Sequence, residues 1–333
     1  MKPEVFIAIP DGRLKSHMFT EEWMKEIESI ANVTWNPLGR DMTSSELAEA
    51  VKDKYAIITG WGSPKITSEV LANANKLRFV GHAAGTIRWL VDEDFFEKGI
   101  IITNANLALA PSVAEYCLMT LLMARWEILK TLDRVRNGLW QDNNDVVPGI
   151  NGCTIGLIGY GVITECFIRL LKAFDVKIYV YSRHCPKEKA KELGFELCAL
   201  EEALQCDVVS VHMTLTPETV HLIDMKKLSL IRDGAILMNT SRGRLIDEDA
   251  LVETLESGRI FAILDVFRQE PLPADHKLRN MPNVITTPHS AGTSVYWRRK
   301  MAQLVLDDLK RVLAGETPVG IITLEKYRTM TPM

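Results

Sequence analysis

The sequence predicts an α/β protein built from two parallel sheets, each covered by helices on both faces. Three observations carry this. Short β-branched runs alternate with longer amphipathic ones along the chain, the pattern of βαβ units. The alternation comes in two series, separated by a long apolar helical stretch. The second series opens on a strand that ends in a glycine-rich turn. With 333 residues there is room for two domains.

In the first series the strand candidates are 5–9, 55–59, 78–81 and 100–103, with helices over 21–31 and 44–52. The separating stretch reads as one helix from Ser112 to about Val135. Its Cys117, Leu118, Leu121, Leu122, Trp126 and Leu129 cannot share one face, so burial on several sides is expected, between domains and against a second subunit. A polar loop over 141–149 follows. The second series has strands 154–158, 177–181, 208–212, 235–239, 261–265 and 284–286, with helices over 162–174, 247–257 and 295–313.

Composition narrows the function classes. The chain is 47% hydrophobic and 25% charged, with a formal net charge of −4 and no basic stripe, which speaks against nucleic acid or an anionic membrane as a partner. The apolar run 5–9 is too short for a signal peptide, and no stretch approaches the roughly 18 apolar residues of a membrane helix. Cys117, Cys153, Cys166, Cys185, Cys198 and Cys206 lack Cys-x-x-Cys spacing and a partner histidine cluster, so they read as free thiols with no metal site. A cytoplasmic location is expected.

The run Thr154-Ile155-Gly156-Leu157-Ile158-Gly159-Tyr160-Gly161-Val162-Ile163-Thr164 is an apolar strand, a turn and a helix start. Gly159 suits the tight turn, and Gly161 lets backbone approach a pyrophosphate at the helix N-terminus. Tyr160, Val162 and Ile163 complete the cradle of a Rossmann-type dinucleotide site. Thr164 replaces the fingerprint's third glycine. The next strand ends in Ser182-Arg183-His184-Cys185, with no carboxylate for the ribose hydroxyls. Ser182 stands where that acid is expected, and Arg183 can pair with a 2′-phosphate, so NADP(H) is preferred, with NAD(H) as the alternative.

Hydride transfer to a keto acid needs a cation for the carboxylate and carbonyl, a proton donor, and a group that tunes the donor. Arg242 follows the strand 235–239, Glu270 follows 261–265 and His289 follows 284–286, which puts all three on one rim of the sheet.

With the glycine turn, these segments resemble the D-isomer-specific 2-hydroxyacid dehydrogenase family over nearly the whole chain, most strongly from Thr154 to Gly292. The resemblance implies that Arg242 orients the substrate, His289 is the general acid/base, and Glu270 pairs with His289 to raise its pKa. It places Asp265 near the nicotinamide carboxamide and gives His212 to Thr219 as a cofactor-lining loop, with His212, Thr214 and Thr240 among the contacts. It further implies a flavodoxin-like substrate domain, 1–104 with 293–333, a cofactor domain over 105–292 with a dimerisation arm at about 110–150, and usually a homodimer. Glyoxylate and hydroxypyruvate reductases are the nearest activity.

One loop departs from the family pattern. Where Arg-Ala-Gly-x-Gly is usual, this chain has His82-Ala83-Ala84-Gly85-Thr86-Ile87-Arg88-Trp89. Ala84 and Gly85 still permit close backbone approach. Trp61 offers an aromatic wall, and Arg88 or His82 is expected to meet a second anionic or polar group of the substrate, against Arg88 serving in a surface ion pair. Two other readings compete: a dinucleotide-sensing corepressor-like protein, and a phosphite-type dehydrogenase on the same fold. Formate is disfavoured because that branch usually has Gln at the position of Glu270.

Overall fold

A computed structural model describes residues 2–140 and 146–331, so the first five positions of the expected 141–149 loop lie outside the described residues. The chain forms two compact units, Met1–Leu109 with Gly292–Met333, and Ala110–Ala291.

The first unit holds β1 (Glu4–Ile7), β2 (Asn32–Trp35), β3 (Ala56–Thr59), β4 (Phe79–His82) and β5 (Ile101–Asn104), all parallel, in the order β2-β1-β3-β4-β5. This is the flavodoxin-like order. One apolar layer joins Trp23 and Ile27 to Met301, Val305 and Leu309; the opposite layer contains Leu47, Val70, Leu90 and Tyr327. The glycine at 81 lets the helix Val295–Leu313 close on the sheet, since a Cβ there would stand 2.4 Å from Val305 Cγ1.

The second unit holds β6 (Thr154–Ile158), β7 (Lys177–Tyr181), β8 (Glu196–Leu197), β9 (Val208–Val211), β10 (Ile236–Asn239), β11 (Phe261–Leu264) and β12 (Val284–Thr286). All are parallel, in the order β12-β11-β10-β9-β6-β7-β8. Counted from β6, this is the Rossmann order 3-2-1-4-5-6 with one strand added, and the switch point falls between β6 and β9. Its core runs from Ile158 and Val211 through Leu237, Leu251 and Leu264.

Several expectations are corrected. β2 and β8 were not expected. Both are edge strands, one with alternating exposure and one of two residues, so neither carries the continuous apolar run of a central parallel strand. The single helix expected from Ser112 to Val135 is two, Asn106–Arg125 and Ile128–Arg136. Glu127 breaks it by taking the left-handed region at φ 47°. The first helix begins ahead of Pro111, whose missing N–H leaves only the carbonyl of Leu107, an exposed residue, without its bond. That 20-residue helix is also long and apolar enough to cross a membrane, contrary to the sequence expectation. In this fold its Val113, Ala114, Cys117 and Leu121 are buried, and the Ser112 hydroxyl donates to the Ala291 carbonyl. The six cysteines are free thiols, three buried and three half-buried.

Candidate active site

β10, β11 and β12 are parallel neighbours, so the loops after them emerge on one edge of the second sheet. The Arg242 turn is held from beneath. Buried Asn239 donates through Nδ2 to the Arg242 carbonyl at 2.9 Å and accepts from the Ser241 N–H at 3.0 Å, while Ser241 Oγ donates to the Val211 carbonyl at 2.8 Å. Arg242 is half-buried; burial pushes its pKa down and the charge of Glu270 opposes that shift. Asn239 was read from sequence only as the end of a strand.

Glu270 Oε1 accepts the Phe267 N–H at 3.0 Å, and Oε2 lies 2.7 Å from His289 Nδ1. An ionised carboxylate only accepts, so Nδ1 carries the proton, and Nε2 has no hydrogen-bond partner among the described residues. His289 sits at φ 53°, its N–H bonded to the Asp265 carbonyl at 2.9 Å. A side chain held in the left-handed region needs surrounding structure to fix it.

Asp265 supplies that structure. It is fully buried; Oδ1 accepts from Thr287 Oγ1 at 2.6 Å and from the Ser290 N–H at 2.7 Å, and Oδ2 accepts from the Ala291 N–H at 2.9 Å. It clamps both sides of His289. The Tyr116 hydroxyl bonds Thr287 Oγ1, and because Thr287 donates its own proton to Asp265, Tyr116 is the donor in that pair. Tyr116 and Thr287 were not singled out from sequence: they are 171 positions apart.

The glycine turn fits a dinucleotide. Gly159 takes φ 107°, and a Cβ there would stand 2.7 Å from the His212 carbonyl oxygen. At Gly161 a Cβ would meet nothing within 4 Å. The helix Val162–Leu171 starts there with no side-chain cap, leaving its first N–H groups for an anion. Val162 is exposed and Ile163 half-buried at that start. Buried Thr164 donates its hydroxyl to the Gly159 carbonyl at 3.0 Å, so the residue at the third glycine position ties the turn down. Tyr160 donates to Glu165 Oε1 at 2.6 Å.

At the end of β7, Ser182 Oγ accepts the N–H groups of His184 and Cys185, both at 3.2 Å. Arg183 is exposed, makes no hydrogen bond or ion pair with any described residue, and helps to lower the Glu218 pKa. His212 packs at a tilt against Phe167 and shares a 2.9 Å hydrogen bond with Ser210, and burial lowers its pKa to about 4. Thr214 is exposed, and Thr240 is buried with its hydroxyl 3.4 Å from Cys117 Sγ.

In the first unit, the amides of Ala84, Gly85 and Thr86 donate to no described residue. The expected role of His82 is corrected: it is fully buried, bonded through Nδ1 to Thr59 Oγ1 at 2.9 Å and packed edge-on to Trp89, and burial pushes its pKa to about 3. Arg88 forms no ion pair within 4 Å among the described residues, and its Nε is buried without a hydrogen-bond partner. Its guanidinium lies 4.3 Å over the ring of buried Tyr327, whose hydroxyl donates to the Val91 carbonyl. Trp61 is 37% exposed after β3, under the guanidinium of Arg298. No group of His, Cys, Asp or Glu among the described residues could hold a metal ion.

Known proteins agree with this geometry. The family profile described as D-isomer specific 2-hydroxyacid dehydrogenase, NAD binding domain, matches residues 118–291. A glyoxylate reductase of Korarchaeum cryptofilum is 32% identical over 343 aligned positions, covering 100% of this chain and 99% of its own. A D-3-phosphoglycerate dehydrogenase of Methanocaldococcus jannaschii is 34% identical over 91% of this chain; the chain spans 58% of that relative's length. Among solved structures, a phosphoglycerate oxidoreductase from Rhizobium etli superposes with a TM-score of 0.80 at 26% identity, over 96% of this chain and 98% of its own. A protein from Thermus thermophilus does so with a TM-score of 0.76 at 29% identity, over 96% and 100%. The chain belongs to the D-isomer-specific 2-hydroxyacid dehydrogenase family. It is therefore an oxidoreductase that uses a nicotinamide dinucleotide and acts on the CH–OH group of hydroxy acids.

Proposed function

We propose that the enzyme reduces small 2-keto acids of the glyoxylate and hydroxypyruvate type to D-2-hydroxy acids, with NADP(H) preferred over NAD(H). The observation that carries this is the Glu270–His289 pair on the same sheet edge as half-buried Arg242. Bound nicotinamide dinucleotide supplies the hydride in reduction and accepts it in oxidation. Arg242 holds the substrate carboxylate and polarises the C2 carbonyl. His289 Nε2 gives its proton to the carbonyl oxygen as C2 is reduced, and takes it back in the reverse direction. Glu270 holds Nδ1–H, which keeps Nε2 turned to the substrate and stabilises the imidazolium. Gly85 and its neighbours Ala84 and Thr86, with free amides, suit a carboxylate.

The cofactor preference rests on Arg183, an unpaired cation at a strand end without a carboxylate. A homodimer is proposed from the apolar surface at 126–140, where Trp126, Leu129, Leu132, Val135 and Trp140 are all exposed; sedimentation of the purified protein as a monomer would exclude it. The central test is oxidation of NADPH and NADH with glyoxylate, hydroxypyruvate and pyruvate. NADPH-preferring turnover is expected; NADH-preferring turnover overturns the cofactor assignment, and silence with all three overturns the substrate class.

A further inference from the structure

Arg298 lies in the first unit, in the opening turn of the helix Val295–Leu313, with its guanidinium 5.4 Å over the ring of Trp61. It is half-buried, and burial alone pushes its pKa down, with no carboxylate opposing the shift. Its Nε is buried without a hydrogen-bond partner, and it forms no ion pair among the described residues. Toward the other end of this helix Lys310 pairs with Glu26, and Arg311 with Glu316 at 3.6 Å. Charged side chains are rarely taken out of water unless paired, and stacking on an aromatic face offsets only part of the cost. An anion is the partner this side chain lacks.

Its position indicates which anion. Trp61 follows β3 and the Ala84–Thr86 loop follows β4; these strands are parallel neighbours, so both loops stand on the carboxyl edge of the sheet, where open α/β sheets bind ligands. One edge thus carries two distinct anion receptors, a run of free amides and a guanidinium braced on a tryptophan. Every 2-keto acid has one carboxylate. In the reading above that carboxylate is already met by Arg242 and the free amides, so a further cation on this edge is best used by a second oxyanion.

We propose that Arg298, braced on Trp61, binds a second anionic group of the substrate, so that the preferred 2-keto acids carry a distal carboxylate or phosphate. His82 is fully buried. Arg88 shares the stacked geometry and a buried Nε without a partner, but it has the Glu93 carboxylate near its charge, whereas no carboxylate acts on Arg298. The inference rests on the 2-keto acid reading above.

The test compares glyoxylate, 2-oxovalerate, 2-oxoglutarate and 3-phosphohydroxypyruvate with the wild-type enzyme, Arg298→Met and Arg298→Lys. Wild-type kcat/KM should favour 2-oxoglutarate or 3-phosphohydroxypyruvate over 2-oxovalerate by about tenfold or more, the worth of a charge-assisted contact. The two acids separate a carboxylate from a phosphate. Arg298→Met should abolish the preference, and Arg298→Lys should keep part of it. Wild-type preference for 2-oxovalerate, or an equal loss on every substrate in Arg298→Met, overturns the proposal. If the variants do not fold, the wild-type comparison alone decides. Thermal stabilisation by 2-oxoglutarate relative to 2-oxovalerate gives a readout independent of turnover. Silence with all four substrates together with diacid-specific stabilisation removes the reaction class and leaves the anion site; no stabilisation in that case removes both.

Discussion

Gly243 stands against the backbone of Phe267 so closely that a Cβ at 243 would lie 2.0 Å from the Phe267 carbonyl carbon and 2.2 Å from its oxygen. This contact brings the turn carrying Arg242 onto the loop carrying Glu270. Nothing flexible lies in the way of a methyl group, only main chain, so a side chain at 243 must push the two loops apart. Gly243→Ala should lower kcat/KM by about 100-fold, the cost of an ångström-scale misplacement, with a fall in Tm as well. Retained kinetics would show that the approach is not needed for catalysis.

Glu270→Gln tests the pair itself. The amide keeps an acceptor for the Phe267 N–H but removes the charge facing His289 Nδ1. A fall in kcat of about 10- to 100-fold is expected, with cofactor affinity, measured by fluorescence titration, unchanged. Equal weakening of cofactor binding would make Glu270 a structural residue.

The parts of the site legible in the sequence are those written in short segments after strands: the Gly159 turn, Arg242, Glu270 and His289 each follow an apolar run that locates the carboxyl edge. What was not legible depends on side chains far apart in the chain. Tyr116 reaches Asp265 only through Thr287, and Arg298 meets Trp61 from the other chain segment of the first unit. His82 misled because a histidine at a strand end reads as a pocket residue, and only packing against Thr59 and Trp89 shows it to be interior. β2 and β8 escaped because edge strands share the polar character of loops.

Thr164 shows how a departure from the glycine fingerprint is absorbed. Its hydroxyl holds the Gly159 carbonyl from inside the helix start. Thr164→Val keeps the shape and leaves that carbonyl unsatisfied, which should cost about 1–3 kcal/mol of stability and weaken cofactor binding. Urea denaturation checks the first part; an unchanged midpoint would mean that water takes over the bond.

Arg183→Ala should raise KM for NADPH by about tenfold or more while moving KM for NADH by less than about twofold, because only the 2′-phosphate needs the guanidinium. Steady-state kinetics with both cofactors decides it. Equal effects would remove Arg183 from cofactor selection.

His82 links stability to pH. Free histidine titrates near 6.5, and burial pushes this one to about 3. Between those values the unfolded chain binds a proton that the folded chain does not, so stability rises with pH. The contribution of neutral His82 is complete above about 6.5 and is lost as the pH falls toward 3. His212, lowered to about 4 by burial, acts in the same direction, so removing His82 reduces the slope without abolishing it. Urea midpoints of the wild-type protein and His82→Gln at pH 7.5 and 4.5 measure this. The wild-type protein should lose more stability across that interval than the variant. Parallel losses would mean that the carboxylates and His212 account for the whole acid sensitivity, and that the buried imidazole accepts a proton without cost.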